Sequence, residues 1–174
     1  LCYYIGGQNV PAYSRDELTG QLVFLKKRFP NYKSYAGATV DKVFTGQELA
    51  GAQRLEADRF QTSYLENKGG TFTFRPLPVE AQFAPVYALG SIDINGDGHL
   101  DMLLGGNLEK TRIFTGKYDA NYGVALLGDG KGHFTYLPQP QSGLSLRGDI
   151  RDVTVLEGKR GQKVVFWVNN GKGP

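Results

Sequence analysis

Two hydrophobic periods divide this chain. Between residues 12 and 58 the apolar positions recur at helical spacing, and Leu18, Leu22, Leu25 and Phe29 form one stripe. Ser14-Arg15-Asp16-Glu17 stands ahead of that stripe as a capping box, with Ser14 as N-cap and Glu17 reaching back, and Pro30 ends the segment. Lys26, Lys27 and Arg28 fall in its last turn, where cations complement the helix dipole. A second short helix is predicted over Ser34 to Phe44, with Ala36, Val40 and Val43 or Phe44 inward. A third is opened by the capping box Thr45-Gly46-Gln47-Glu48 and runs through about Leu55. Residues 12–58 therefore read as a helical insertion in a chain that is otherwise strand-like.

Outside the insertion the period is two. Leu1 to Ile5 reads as a strand, followed by a loop over Gly6-Gly7-Gln8-Asn9 and Pro11. Gln61 to Glu66 and Thr71 to Phe74 predict a hairpin around Asn67-Lys68-Gly69-Gly70. Pro76, Pro78 and Pro85 limit helix formation and lead into the strand Val86 to Leu89. Leu100 to Leu104, Gly123 to Leu127 and His133 to Tyr136 follow as strands, the last two joined by the glycine-rich turn Gly128 to Gly132. That turn lacks a helix start and a Gly-Lys-Ser/Thr ending, so it is a hairpin turn and not a phosphate cradle. His133 has no companion His or Cys cluster and reads as an edge-strand surface residue. Val153 to Leu156 and Lys163 to Val168 form the closing strands, joined by Glu157 to Gln162. Trp167 alternates with its apolar neighbours, which predicts a core or inter-sheet position.

Composition agrees with a mainly β reading and narrows the function classes. The 174 residues are enough for one domain with a real core, at 40% hydrophobic and 21% charged. Twenty Lys+Arg against seventeen Asp+Glu leave a net charge of +3, and no basic run exceeds Lys26-Lys27-Arg28. Nucleic-acid binding normally needs a concentrated basic face, so it is not expected. The 24 Gly with ten Tyr and ten Phe suit many turns between aromatic strands. Cys2 is the single cysteine, which rules out an internal disulfide. No apolar run approaches a membrane span, and the chain opens inside a strand without a signal segment, as expected of a piece of a larger protein.

The stretch Asp93-Ile94-Asn95-Gly96-Asp97-Gly98-His99-Leu100-Asp101 carries the candidate chemistry. Oxygen-bearing side chains stand at alternate positions, and calcium takes six to eight oxygens at flexible distances. Gly96 and Gly98 allow the positive φ angles that fold backbone around an ion. The reading assigns Asp93, Asn95, Asp97 and Asp101 as side-chain ligands of Ca2+ and His99 as a main-chain carbonyl ligand, because its imidazole suits zinc or copper better. Leu104 stands where an EF-hand would place Glu, and the residues that follow alternate, so the loop is expected between strands.

An internal repeat places this loop in a series. When Phe72-Thr73-Phe74 is laid on Phe134-Thr135-Tyr136, the same offset lays Met102-Leu103-Leu104 on Val164-Val165-Phe166. Asp93, Asn95, Asp97 and Asp101 then meet Val155, Glu157, Lys159 and Lys163, so the second copy is expected to keep the turn and lose the metal. A partial third copy aligns Gly6-Gly7-Gln8 with Gly105-Gly106-Asn107. The predicted organisation is a fragment with repeat units over 60–107 and 123–170, about two four-stranded antiparallel blades of a partial β-propeller, with the helical insertion over 12–58.

With its repeat, the Asp-x-Asn-Gly-Asp-Gly-x-x-Asp loop, the following Met102-Leu103-Leu104-Gly105-Gly106 and the preceding Phe83-Ala84-Pro85, the sequence resembles FG-GAP/VCBS repeat proteins, the calcium-looped propellers also seen in integrin α chains. Leu1 to Ile5, Ser14 to Leu18, Tyr64 to Asn67 and Glu80 to Tyr87 look more narrowly like the large exported UnbV/ASPIC-like proteins of Bacteroidetes-type bacteria. The resemblance implies an extracytoplasmic location at the cell surface, outer membrane or periplasm, and adhesion or ligand binding without a catalytic mechanism. The ligand would be a protein or a glycan. Unpaired strand edges in such a piece also predict self-association.

Three other readings compete. A metal-assisted hydrolase or lyase would use an exposed calcium to polarise substrate, and needs an open coordination position beside an acid or His in a cleft, for which the sequence offers only His99 and His133. Glu48, Glu56 and Asp58 could pair for acid/base work but read as solvated helix faces. Arg147-Gly148-Asp149 is a tripeptide used as an integrin ligand, although a turn before Arg151 explains it equally.

Overall fold

The computed structural model describes residues 2–170, in two compact units, Leu1–Ala57 and Asp58–Pro174. The fold is mainly β, with several antiparallel sheets, none of them closed.

In the first unit, β1 (Cys2–Ile5) pairs antiparallel with β2 (Gln8–Pro11). The expected loop after Ile5 is thus a hairpin arm. Gly6 and Gly7 sit at φ 57 and 81, the double left-handed turn that matches strand twist. Helix α1 (Arg15–Gln21) starts at the expected capping box: Ser14 accepts from the Glu17 N–H, and the Glu17 carboxylate accepts from the Ser14 N–H at 2.9 Å. The helix does not run on to Phe29. It breaks after Gln21 and restarts as α2 (Leu25–Arg28). Gly20 and the β-branched Thr19 and Val23 weaken a continuous helix there. The break brings the Phe29 and Pro30 carbonyls to the Arg15 guanidinium, which donates to them at 2.8 and 3.1 Å. At ~1.5 Å rise per residue, an unbroken helix would hold Phe29 about 20 Å from Arg15.

The second expected helix is likewise split. Asn31 caps α3 (Tyr32–Tyr35), Gly37 at φ 70 turns the chain, and α4 (Val40–Val43) follows. The third helix does not form. The Thr45–Glu48 capping bonds are made, but only a turn follows, because Gly51 takes φ 79; the Glu48 carboxylate is also held by Arg28, at 3.0 and 3.1 Å. Arg28 therefore serves as a clamp on Glu48 and the Val43 carbonyl as well as a C-terminal helix charge. The apolar stripe still makes one core: Leu18, Leu25 and Phe29 are buried with Ala38 and Val43, and Leu22 packs against them.

The second unit is a stack of sheets. Strands β3 (Ser63–Lys68) and β4 (Thr71–Pro76) form a hairpin. Strands β5 (Val86–Ile92), β6 (Asp101–Gly106), β7 (Val124–Gly128) and β8 (Phe134–Leu137) form a four-stranded antiparallel meander. After the short helix α5 (Gln139–Ser142), β9 (Ile150–Glu157) and β10 (Lys163–Asn169) form a second hairpin. The four-stranded sheet takes β5 and β6 from the expected 60–107 unit and β7 and β8 from the expected 123–170 unit. Sheet boundaries are thus out of phase with those sequence units, since β6 finds its next partner across the 107–123 loop.

Alternation along β6 and β7 explains their unbroken apolar runs. Leu104, Val124 and Leu126 pack on one face with Leu77, Ala81 and Tyr64 of β3. Leu103 and Ala125 pack on the other with Val155, Val165 and Trp167 of the closing hairpin. A sheet covered on both faces needs apolar residues at consecutive positions. Gly105 permits the close approach: a Cβ there would lie 2.6 Å from Ile150 and 2.8 Å from Trp167. Trp167 occupies the expected inter-sheet position. The two hairpins turn apolar side chains outward, Leu65, Phe72 and Phe74 on one, Leu156, Val164, Phe166 and Val168 on the other.

Candidate functional site

The loop between β5 and β6 is held by its own carboxylates. Asp93 accepts from the Gly96 N–H at 2.7 Å through Oδ1 and from the Gly98 N–H at 3.0 Å through Oδ2. Asn95 Oδ1 accepts from the Asp97 N–H at 3.1 Å, and its amide donates to Asp97 Oδ2 at 2.8 Å. Asp97 Oδ1 accepts from the His99 N–H at 2.8 Å. These turns need the left-handed Gly96 and Gly98, at φ 80 and 85. The His99 N–H, followed by the Asn95 amide, holds the Asp97 carboxyl below the usual carboxylate range.

Asp101, the last of the acids, is the first residue of β6 and is fully buried. Its Oδ2 accepts from the Ile94 N–H at 2.7 Å and its Oδ1 from the Gly128 N–H at 2.8 Å. One side chain therefore ties the start of the loop to the end of β7. A buried carboxylate that accepts two backbone donors is a sheet staple as well as an oxygen donor.

All five residues assigned to calcium lie on this loop, at the end of two paired strands. Among the described residues, however, no three His, Cys, Asp or Glu side chains converge in a group that would hold a metal ion. The carboxylates are turned onto backbone N–H groups. Their chemistry still fits a hard cation, because a carboxylate has roughly four acceptor sites and each of these oxygens uses only some of them. The His99 imidazole lies against the β7–β8 turn, where a Cβ on Gly130 would come within 2.5 Å of its Nδ1.

The expected second copy of the loop has a different geometry. Val155 and Glu157 are strand residues paired with Val165 and Lys163, and the turn is confined to residues 158–162, closed by the Gly158 N–H on the Gln162 carbonyl at 2.6 Å. Lys163 points its ammonium at the Asp93 carbonyl, 3.4 Å away.

Several polar side chains outside the loop are committed to the fold. Asp149 is buried, accepts from the Glu109 N–H at 2.8 Å and pairs with Arg151 at 3.0 Å, so Arg147-Gly148-Asp149 does not display its carboxylate. Arg28 and the Thr45 N–H lower the Glu48 carboxyl to about 2, and Glu56 pairs with Arg54. His133, expected as a plain surface residue, is exposed but engaged: its Nδ1 faces Asp129 Oδ2 at 3.0 Å and its Nε2 faces Arg75 Nη1 at 3.3 Å. The Lys131 and His133 N–H groups, ahead of the His133 ring, hold the Asp129 carboxyl at about 2. Buried Asn107, at φ 83, fixes the 107–123 loop through the Asn121 backbone and the Gly148 carbonyl. The Asp129–His133–Arg75 chain links residues far apart in sequence, and only the alternation that turns Arg75 towards the central sheet hinted at it.

No family model, curated protein or solved structure matches the chain. No helix among the described residues is long and apolar enough to cross a membrane.

Proposed function

We propose that this chain is a calcium-stabilised segment of an extracytoplasmic β-propeller that serves as a non-catalytic binding or adhesion scaffold for a protein or glycan. In this reading the β5–β8 sheet is one blade, and the hairpins β3–β4 and β9–β10 belong to its two neighbours. The outward apolar ladders on those hairpins support it, since a blade buries both of its faces. The resemblance of the loop and its flanking strand to FG-GAP/VCBS repeats supports it as well.

The observation that carries the calcium assignment is the placement of Asp93, Asn95, Asp97 and Asp101 on one loop with Gly96 and Gly98 left-handed between them. Those side chains, with the His99 carbonyl, would hold the ion through the acceptor positions that their N–H partners leave free. Calcium supplies positive charge that offsets the repulsion of three acids, and so fixes the β5–β6 end of the blade. Extracellular modules bind calcium at roughly 10⁻⁴–10⁻³ M, an affinity that suits the proposed location. The test is thermal unfolding in saturating calcium and in chelator. Calcium raises the melting temperature of the wild type and not of Asp97→Ala; the same melting temperature in both solutions contradicts the proposal.

A further inference from the structure

A second polar site lies between hairpin β3–β4 and the β7–β8 turn. A cleft of about 260 Å³ opens there, walled by Tyr64, Pro76, Pro78 and Phe134, with Arg75 and His133 on its lining. The guanidinium of Arg75 is fixed from behind by Glu66 at 2.6 Å, and Glu66 also takes Lys68 at 3.2 Å. Arg75 Nη1 lies 3.5 Å from the Lys131 carbonyl and 3.3 Å from His133 Nε2. A guanidinium has only donors, so His133 joins this contact as an acceptor at Nε2 when its ring proton sits on Nδ1, facing Asp129. If the ring gains a proton at Nε2, two donors face one another beside an apolar cleft. An acceptor placed between them satisfies both.

We propose that this cleft binds a carboxylic acid with an apolar body, its carboxylate held between Arg75 and a protonated His133. The walls are aromatic and proline surfaces that take the body, and the Arg75 fork suits a carboxylate. His133 takes one proton from solvent as the ligand binds, at Nε2, and Asp129 stabilises the imidazolium from Nδ1. The opposing charges are Arg75 itself and, behind it, Lys68, offset by Glu66. Binding and proton uptake are thereby coupled.

The experiment uses the full chain, with titration calorimetry and the His133 ring resonances as readouts. Phenylacetate, its neutral analogue phenylacetamide and N-acetylphenylalanine are the probes. Phenylacetate is expected to bind, to shift the His133 resonances and to weaken by up to about tenfold per pH unit as the solution is made more alkaline, because one proton is linked to binding. Phenylacetamide is expected not to bind. Arg75→Met removes binding, and His133→Gln, which keeps a polar side chain on the exposed turn, leaves weak binding without pH dependence. Tighter binding of N-acetylphenylalanine than of phenylacetate identifies a peptide C-terminus as the source of the carboxylate, and the reverse order a free small acid. Equal binding of acid and amide, a pH-independent wild-type affinity, or binding that survives Arg75→Met in a folded variant overturns the proposal.

Discussion

The hairpins β5–β6 and β9–β10 lie against each other and solve the same problem in different ways. Each must satisfy the backbone donors of a turn at the end of two paired strands. The β9–β10 turn does so with main chain, through the Gly158 N–H and the Gln162 carbonyl. The β5–β6 loop is longer, and its N–H groups at Ile94, Gly96, Asp97, Gly98 and His99 all go to side-chain oxygens of Asp93, Asn95, Asp97 and Asp101. Three acids are far more than a solvated turn requires. The excess negative charge is what the longer loop adds, and it is the reason to look for a cation there and not at the lysine-bearing turn.

The largest effect should come from the staple. Asp101→Ala leaves the buried Gly128 N–H and the part-buried Ile94 N–H without their acceptor and is expected to cost about 3 kcal/mol, since each bond to a charged group contributes roughly 1.5–3 kcal/mol. Urea unfolding measures it, and a loss below about 1 kcal/mol would mean that the clamp is not made in solution. Gly98→Ala comes next, at about 1–2 kcal/mol, because a side chain in the left-handed region is strained. Gly158→Ala in the other hairpin, at φ −87 but with the added Cβ 3.3 Å from the Gln162 carbonyl oxygen, should cost less, about 0.5–1 kcal/mol.

Acid should separate the turns held by carboxylates, β5–β6 and β7–β8, further from the main-chain turn of β9–β10. The Asp97 and Asp129 carboxyls are depressed, so the stability they contribute is complete above the ordinary carboxylate range and is lost as pH falls through their lowered values, about 2 for Asp129. Between pH 4 and 2 (about the carboxylate range), amide exchange at His99 and Lys131 should accelerate relative to Gly158, after correction for intrinsic rates. Equal acceleration would remove the distinction. The smallest effect is expected from Lys163→Met, which removes an exposed cation near the Asp93 carbonyl and should strengthen calcium binding about two- to threefold, within the range of screened surface charges.

Which parts of this were legible in sequence follows from how local their causes are. The Ser14 capping box, the hairpin turns, the strands around the loop and the inter-sheet Trp167 rest on short-range patterns, and the structure has them. The apolar stripe from Leu18 to Phe29 was visible, but not that two short helices share it, because the Arg15 bonds to Phe29 and Pro30 that accompany the break are tertiary. The helix after Thr45 stops at a turn because Gly51 takes φ 79, a conformation that its sequence allows but does not dictate. Sheet membership was missed where β6 joins β7 across the 107–123 loop. That loop is held by the buried side chain of Asn107, which no periodicity signals. On the loop, the residue types were evident from spacing, whereas the double role of Asp101 depends on Gly128, which lies far along the chain.

Calorimetric titration of the full chain with calcium tests the central claim most directly. The account predicts one site whose heat disappears in Asp97→Ala while the variant remains folded. No binding heat, or binding unchanged by Asp97→Ala, would contradict it and leave the acids of the β5–β6 loop as backbone caps alone.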